Sequence, residues 1–217
     1  VPIFLLTENK LIVRDIRPSI FNQFYKSFQY SIKIPAIWLA GLLELMVYLT
    51  IYAIKAFLPL FIISQEGGTV LWAGLFFFVQ ELTHFIFRPV GGSASDRYGQ
   101  SIVIFCGMIF IALGLCTITN FPLNLILITA IFLGIGQGLI FPSSVALLSK
   151  KSNDSHLGAA MGLYGALRNL GKVVGPIGAG ILLALFDYST VFYIFAGLII
   201  FSLVSVAPFW IKSNVKS

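Results

Sequence analysis

The chain has 217 residues, of which 58% are hydrophobic and only 10% charged, with a formal net charge of +6. Water-soluble domains carry about 25% charged residues, so this composition excludes a soluble domain, and with it the nucleic-acid partner that a basic balance would otherwise suggest. The length therefore counts membrane spans. A crossing helix takes about 20 mostly apolar residues, and such runs are predicted near 37–63, 70–90, 102–119, 123–147, 158–185 and 189–211.

Ahead of the first span, Ile20, Phe21, Phe24 and Phe28 share one helical face, with Ser19, Asn22 and Lys26 toward the other. This pattern reads equally as an amphipathic helix on the membrane surface or as an irregular linker. Val1–Leu6 reads as the tail of an earlier span, and the chain is expected to begin inside a larger reading frame. Lys10, Arg14, Arg17, Lys26 and Lys33 precede the first span, Arg88 and Arg97 flank the second turn, Lys150 and Lys151 the fourth, and Lys212 and Lys216 follow the last span. The intervening loops near 64–69, 120–122 and 186–188 carry no Lys or Arg. The positive-inside rule then puts both ends of the segment and the Gly91–Gln100 loop in the cytoplasm of a multi-pass protein of the plasma (inner) membrane. That side also disposes of Asn153-Asp154-Ser155 as a glycosylation site.

Within the first predicted span, Glu44, Tyr48, Tyr52 and Lys55 follow at intervals of four, four and three, which places them on one helical face. Ionisable groups at bilayer depth are costly and face a cavity or a partner, so the stripe points to a water-filled pathway. The bland alternative is a Glu44 that snorkels to the cytoplasmic edge. The second span repeats the device with Gln80, Glu81, His84 and Arg88. Glu81 and His84 read as a proton relay or substrate contact, or else as a satisfied hydrogen-bonded pair. Glu-x-x-His is also half of a di-iron ligand set, but no second copy exists, so neither metal nor cofactor is assigned.

Gly91–Gln100 reads as a short polar hinge between spans, its glycines marking a tight turn or a close helix approach, with Asp96 and Arg97 at headgroup level. Cys106 and Cys116 in the third span read as packing residues. In the fourth, Gly134, Gly136 and Gly138 allow close backbone approach, while Gln137 and Ser144 offer polar contacts near a cavity and Phe141-Pro142 a bend. The fifth span sets Gly158 and Gly162, then Gly171 and Gly175, four apart, followed by Pro176, Gly178 and Gly180. Tyr164, Arg168 and Lys172 share a face there, with Asn169 beside them. Arg168 and Lys172 call for water, anionic lipid or an acid, and Glu44, Glu81 and Asp96 are the acids placed to serve.

Three features together resemble the C-terminal half of a major facilitator superfamily transporter. Gly92-x-x-x-Asp96-Arg97-x-Gly99 is similar to the family's loop between the second and third helices of each half. Gly171-x-x-x-Gly175-Pro176-x-Gly178-x-Gly180 looks like the glycine-proline signature of the drug/proton antiporter branch. The basic, amphipathic stretch before the first span resembles the linker between halves. Gln100 and Ser101 depart from the basic residues that usually follow the loop's last glycine, and the glycine-proline signature is more usual in the other half.

The resemblance implies an all-α membrane protein whose six transmembrane helices form one half bundle. Residues 1–35 would be a cytoplasmic linker, 36–211 the six-span half and 212–217 a cytoplasmic tail, with an N-terminal half as the missing partner. It implies alternating access about a midplane site, with the first and fourth spans lining the cavity and the second and fifth facing the other half. Asp96, with Gly92, Arg97 and Gly99, would latch one conformation against a helix end of that half. The expected function is secondary active transport of small solutes, in the form of export driven by proton exchange. Its rivals are a receptor or assembly subunit that reuses the fold, and an intramembrane enzyme built on Ser93, Ser95 and His84, which lacks a nucleophile-elbow frame.

Overall fold

The computed structural model describes residues 28–152 and 156–214, in which every regular element is helical. Six long helices follow one another: α1 (Pro35–Ser64), α2 (Val70–Tyr98), α3 (Gln100–Ile118), α4 (Ile126–Lys151), α5 (Leu157–Leu183) and α6 (Tyr188–Asn214), with a 3-10 turn, Leu123–Leu125, leading into α4. Most of the amphipathic stretch expected around Ile20, Phe21 and Phe24 lies outside the described residues, as does the sequon; the described residues 28–32 are helical.

Five of these helices are long and apolar enough to cross a membrane. The exception is α5, predicted as a span of the same kind. It has the length, at 27 residues, but repeated glycines and the Arg168, Asn169 and Lys172 cluster dilute its apolar character. Its place in the bundle is set by packing instead. A Cβ at Gly171 or Gly175 would run into the backbone of α1 at Leu45 and Leu49, so the two helices meet main chain to main chain.

The same device organises the other half of the bundle. α4 lies between α2 and α3 and packs extensively on both. Its three glycines divide the work. A Cβ at Gly134 would meet the α2 backbone at Gln80 O (2.5 Å), and one at Gly138 would meet Phe87 Cβ (2.7 Å). A Cβ at Gly136 would point the other way, 2.6 Å from Gly107 O of α3. Between α3 and α4 the hydroxyls of Thr117 and Thr129 pair at 2.9 Å, and α6 packs mainly on α3. Fully buried Ile37, Ile54, Leu58, Phe76 and Met108 fill the space between.

The polar Gly91–Gln100 stretch is not the hinge that its composition suggests. Gly91 through Tyr98 continue α2, and the turn is confined to Gly99, whose φ of +90° suits glycine alone. Pro89 removes a backbone donor without ending the helix, and the Ser93 hydroxyl donates to Pro89 O and Val90 O at 3.0 and 3.1 Å. Gly91 serves close approach: a Cβ there would stand 2.5 Å from Gly138 O and 2.9 Å from Pro142 Cγ. Pro59, Pro142 and Pro176 likewise lie inside continuous helices. Cys106, read as a packing residue, is exposed on the outer face of α3, whereas Cys116 is half-buried.

Asp187, which the sequence reading passed over, starts α6. Its carboxylate accepts from the Thr190 hydroxyl at 2.6 Å and the Thr190 backbone N–H at 3.2 Å, an N-cap arrangement. The hydroxyl first, then the backbone N–H, hold its pKa below the usual carboxylate value. A depressed carboxylate stabilises the fold above its unfolded pKa and loses that contribution as pH falls through the folded value, so acid is expected to weaken the cap at the start of α6.

Replacing Gly175 by Ala should force α1 and α5 apart, at a cost of about 1–3 kcal/mol typical of overpacking. Gly197→Ala, on the exposed face of α6 with open space around it, should leave stability unchanged or slightly raised. Thermal unfolding of the two variants in detergent measures the difference, and equal melting temperatures would refute the backbone contact.

Candidate functional site

A polar cavity of about 390 Å³ opens among α1, α2, α4 and α5. α1 contributes Tyr48, Ile51, Tyr52 and Lys55; α2 contributes Glu81, His84 and Arg88. Gln137 and Phe141 come from α4, and Arg168 and Lys172 from α5. On each helix the lining residues recur at intervals of three or four, so they form one stripe per helix. Tyr48, His84, Gln137 and Arg168 each lie near the middle of their helices, so the cavity sits at mid-depth in the bundle.

Glu81 is the hub of its charges. One carboxylate oxygen accepts from Lys55 Nζ at 2.8 Å, and the other lies 3.3 Å from His84 Nδ1. Lys55 therefore ties α1 to α2 rather than snorkelling to the outer surface. The remaining cations have no carboxylate within salt-bridge distance among the described residues, so of the partners expected for Arg168 and Lys172 (water, anionic lipid or an acid) Glu44, Glu81 and Asp96 do not pair with them directly. These cations lie over aromatic rings instead. Arg168 stands 5.5 Å from the centres of both Tyr48 and Phe141, Lys172 stands 5.3 Å from Tyr48 and 5.6 Å from Tyr52, and Arg88 stands 4.6 Å from Phe141. Each such contact is worth about 0.5–2 kcal/mol, depending on desolvation.

Glu44 begins the α1 stripe in sequence but lies behind the cavity wall. It is 0% exposed, which rules out snorkelling to the membrane edge, and Tyr164 OH of α5 donates to it at 2.7 Å. Gln80 is also fully buried. One residue from Glu81 is a rotation of about 100° on a helix, which turns Gln80 into the α2–α4 contact while Glu81 faces the cavity. Ser144 is buried within the bundle rather than in the cavity lining. Phe141, read only as part of a bend, is a lining ring; continuing the spacing of four from Gln137 would have found it.

The cavity thus draws on α2 and α5 as well as on the first and fourth helices that were expected to line it. The outer faces of α2 and α5 are apolar and exposed, with Leu71, Phe78 and Phe85 on one and Val173, Ile177 and Ile181 on the other. At the end of α2, Asp96 and Arg97 are exposed and make no ion pair with each other; Arg97 lies 5.3 Å from the Tyr98 ring. A Cβ at Gly92 or Gly178 would meet open space, whereas one at Gly180 would make ordinary contact with the Phe57 ring. Pro176 continues α5 between Gly175 and Gly178.

Residues 40–217 match the Major Facilitator Superfamily. Multidrug resistance protein MdtH of Aeromonas salmonicida (strain A449) is 28% identical over 164 residues, covering 75% of this chain and 41% of that protein. Multidrug resistance protein MdtG of Proteus mirabilis (strain HI4320) is 29% identical over 167 residues, covering 74% and 41%, and the MFS-type transporter YuxJ of Bacillus subtilis (strain 168) is 25% identical over 169 residues, covering 75% and 42%. The chain spans about two fifths of the length of these curated relatives. The helical bundle of the described residues, its apolar helices and the match over most of the chain agree: the chain belongs to the major facilitator superfamily.

Proposed function

We propose that this chain forms the C-terminal half of a secondary transporter that exports small solutes in exchange for protons by alternating access. The observation that carries the reading is the mid-depth polar cavity, ringed by four helices and bordered by the exposed apolar faces of α2 and α5. In this reading those faces meet an N-terminal half, residues 1–35 link the two, residues 36–211 are the working unit and 212–217 are a tail. Both ends and the α2–α3 turn then lie in the cytoplasm of the plasma membrane, in keeping with the basic residues at Arg97, Lys150 and Lys151.

Glu81 is the proposed proton carrier. Ionised, it holds Lys55 and His84 and so ties α1 to α2. Protonated, it can no longer accept both contacts as ion pairs, which frees Lys55 within the cavity. Lys55, His84, Arg88, Arg168 and Lys172 are the other titratable or cationic groups facing this space. Tyr48, Tyr52, Gln137 and the unpaired cations are left to contact cargo. Asp96, exposed one turn before the Gly99 break, would in this reading meet a helix N-terminus of the other half, where an acid is favoured. Gly92, Arg97 and Gly99 complete that elbow, and the Gly171, Gly175 and Pro176 segment keeps α5 close to α1 while the halves rock.

In proteoliposomes Glu81→Gln should abolish uphill transport driven by a proton gradient while leaving solute counterflow intact; a normal gradient response in the variant would overturn the coupling. For the latch, Asp96→Asn should shift the balance of inward- and outward-open states about two- to fivefold, the size of one charge–helix-end contact. Double electron–electron resonance between spin labels on the two halves reads that balance, and unchanged populations with unchanged transport would remove Asp96 from the mechanism.

A further inference from the structure

We propose that the cavity selects an oxyanion, a carboxylate, sulfonate or phosphate group, carried on an aromatic or apolar body. The inference deepens the transport reading of the same site and rests on it. Its basis is an imbalance of charge. Four cationic side chains line the space, Lys55, Arg88, Arg168 and Lys172, against one carboxylate, Glu81, already bonded to Lys55 and His84. Arg88, Arg168 and Lys172 have no carboxylate within 4.0 Å among the described residues.

These cations are not dispersed. Arg168 and Lys172 both stand over the Tyr48 ring, and Arg88 and Arg168 both stand over the Phe141 ring. The result is a ladder across three helices and back to α1, with rings as its rungs and positive heads between them. Rings alone soften the mutual repulsion but offer no lone pairs along the N–H directions. Arg168 Nε and Gln137 Nε2 are buried without an acceptor, while behind the wall Glu44 Oε2 is buried without a donor. On the cavity side donors dominate, since an arginine brings five N–H donors and a lysine three, with no acceptor on either. A bidentate oxyanion supplies both the missing negative charge and the missing acceptors, while Tyr48, Tyr52 and Phe141 offer flat apolar surface for the body that carries it. A cationic cargo would instead meet like charge on the walls.

The test uses the protein expressed from its complete reading frame, in phosphatidylcholine nanodiscs, with two dyes that share one ring system. Fluorescein, as its dianion, should bind saturably by fluorescence anisotropy, and cationic rhodamine 6G at least about tenfold more weakly. Arg168→Gln and Lys172→Gln should each weaken fluorescein by about tenfold or more, the range for a hydrogen bond to a charged group, with Arg168→Lys recovering part of the loss. Lys150→Gln together with Lys151→Gln, which changes charge outside the cavity, should leave binding intact. Melting and gel-filtration profiles without dye establish that each variant is folded, and Arg88→Gln replaces any that is not.

Affinity indifferent to these cations, or a preference for rhodamine, would overturn the proposal; it is the result expected if a carboxylate from elsewhere in the protein fills the ladder. Repeating the titration in phosphatidylglycerol nanodiscs separates two sources of the same chemistry. Loss of fluorescein binding there assigns the ladder to a lipid headgroup phosphate, and unchanged binding assigns it to a soluble anion. Counterflow keeps the two readings apart. Fluorescein binding without counterflow retains the oxyanion site and removes transport, whereas rhodamine counterflow without fluorescein binding does the reverse.

Discussion

Helix backbones touch in this bundle, and the cavity depends on that contact. Lipid is as apolar as a leucine side chain, so burial alone gives little reason for membrane helices to associate; close van der Waals packing and interhelical hydrogen bonds must supply it. Gly171 and Gly175 bring α5 onto the main chain of α1, Gly134 and Gly138 bring α4 onto α2, and Gly136 brings it onto α3. Only at such separations can Tyr164 reach Glu44 across the α1–α5 seam. That bond satisfies one oxygen of an acid with no exposure, a group that would otherwise carry a large desolvation penalty.

The same closeness explains why the cavity wall is so basic without flying apart. Glu81 joins α1 and α2 through Lys55, and the other cations spread over rings from α1 and α4 rather than facing hydrocarbon. Positive groups at bilayer depth are tolerated where they line a polar space or meet a partner. Here the rings of Tyr48 and Phe141 each serve two cations, an economical arrangement that leaves the N–H groups available. In the reading advanced above, it is this availability that an alternating-access cycle would use.

Much of the site could be read along the chain because helical spacing is a local property. Tyr48, Tyr52 and Lys55, and Glu81, His84 and Arg88, fall three or four apart, and those stripes face one cavity. What spacing does not report is where a stripe leaves the cavity. Glu44 continues the α1 pattern at the right interval, yet the arrival of α5 at Gly171 and Gly175 covers it. Gln80 adjoins Glu81 and is turned into α4. The Gly91–Gln100 stretch misled for a related reason: polar residues and glycines resemble a loop by composition, but α2 carries them as helix because Gly91 fits against α4 and Ser93 answers the carbonyls near Pro89.

The sequence by itself determined membrane residence, the number of long helices, their approximate limits except at the end of α2, and the family, since apolar length, charge spacing and the Gly-x-x-x-Asp-Arg-x-Gly and glycine-proline motifs are all local. Only the tertiary structure decided which polar residues share the cavity and which lie behind it. It also decided that Arg168 and Lys172 meet rings rather than acids. These outcomes follow from interhelical distance and rotation, which depend on contacts between residues far apart in the chain, and no local spacing encodes them.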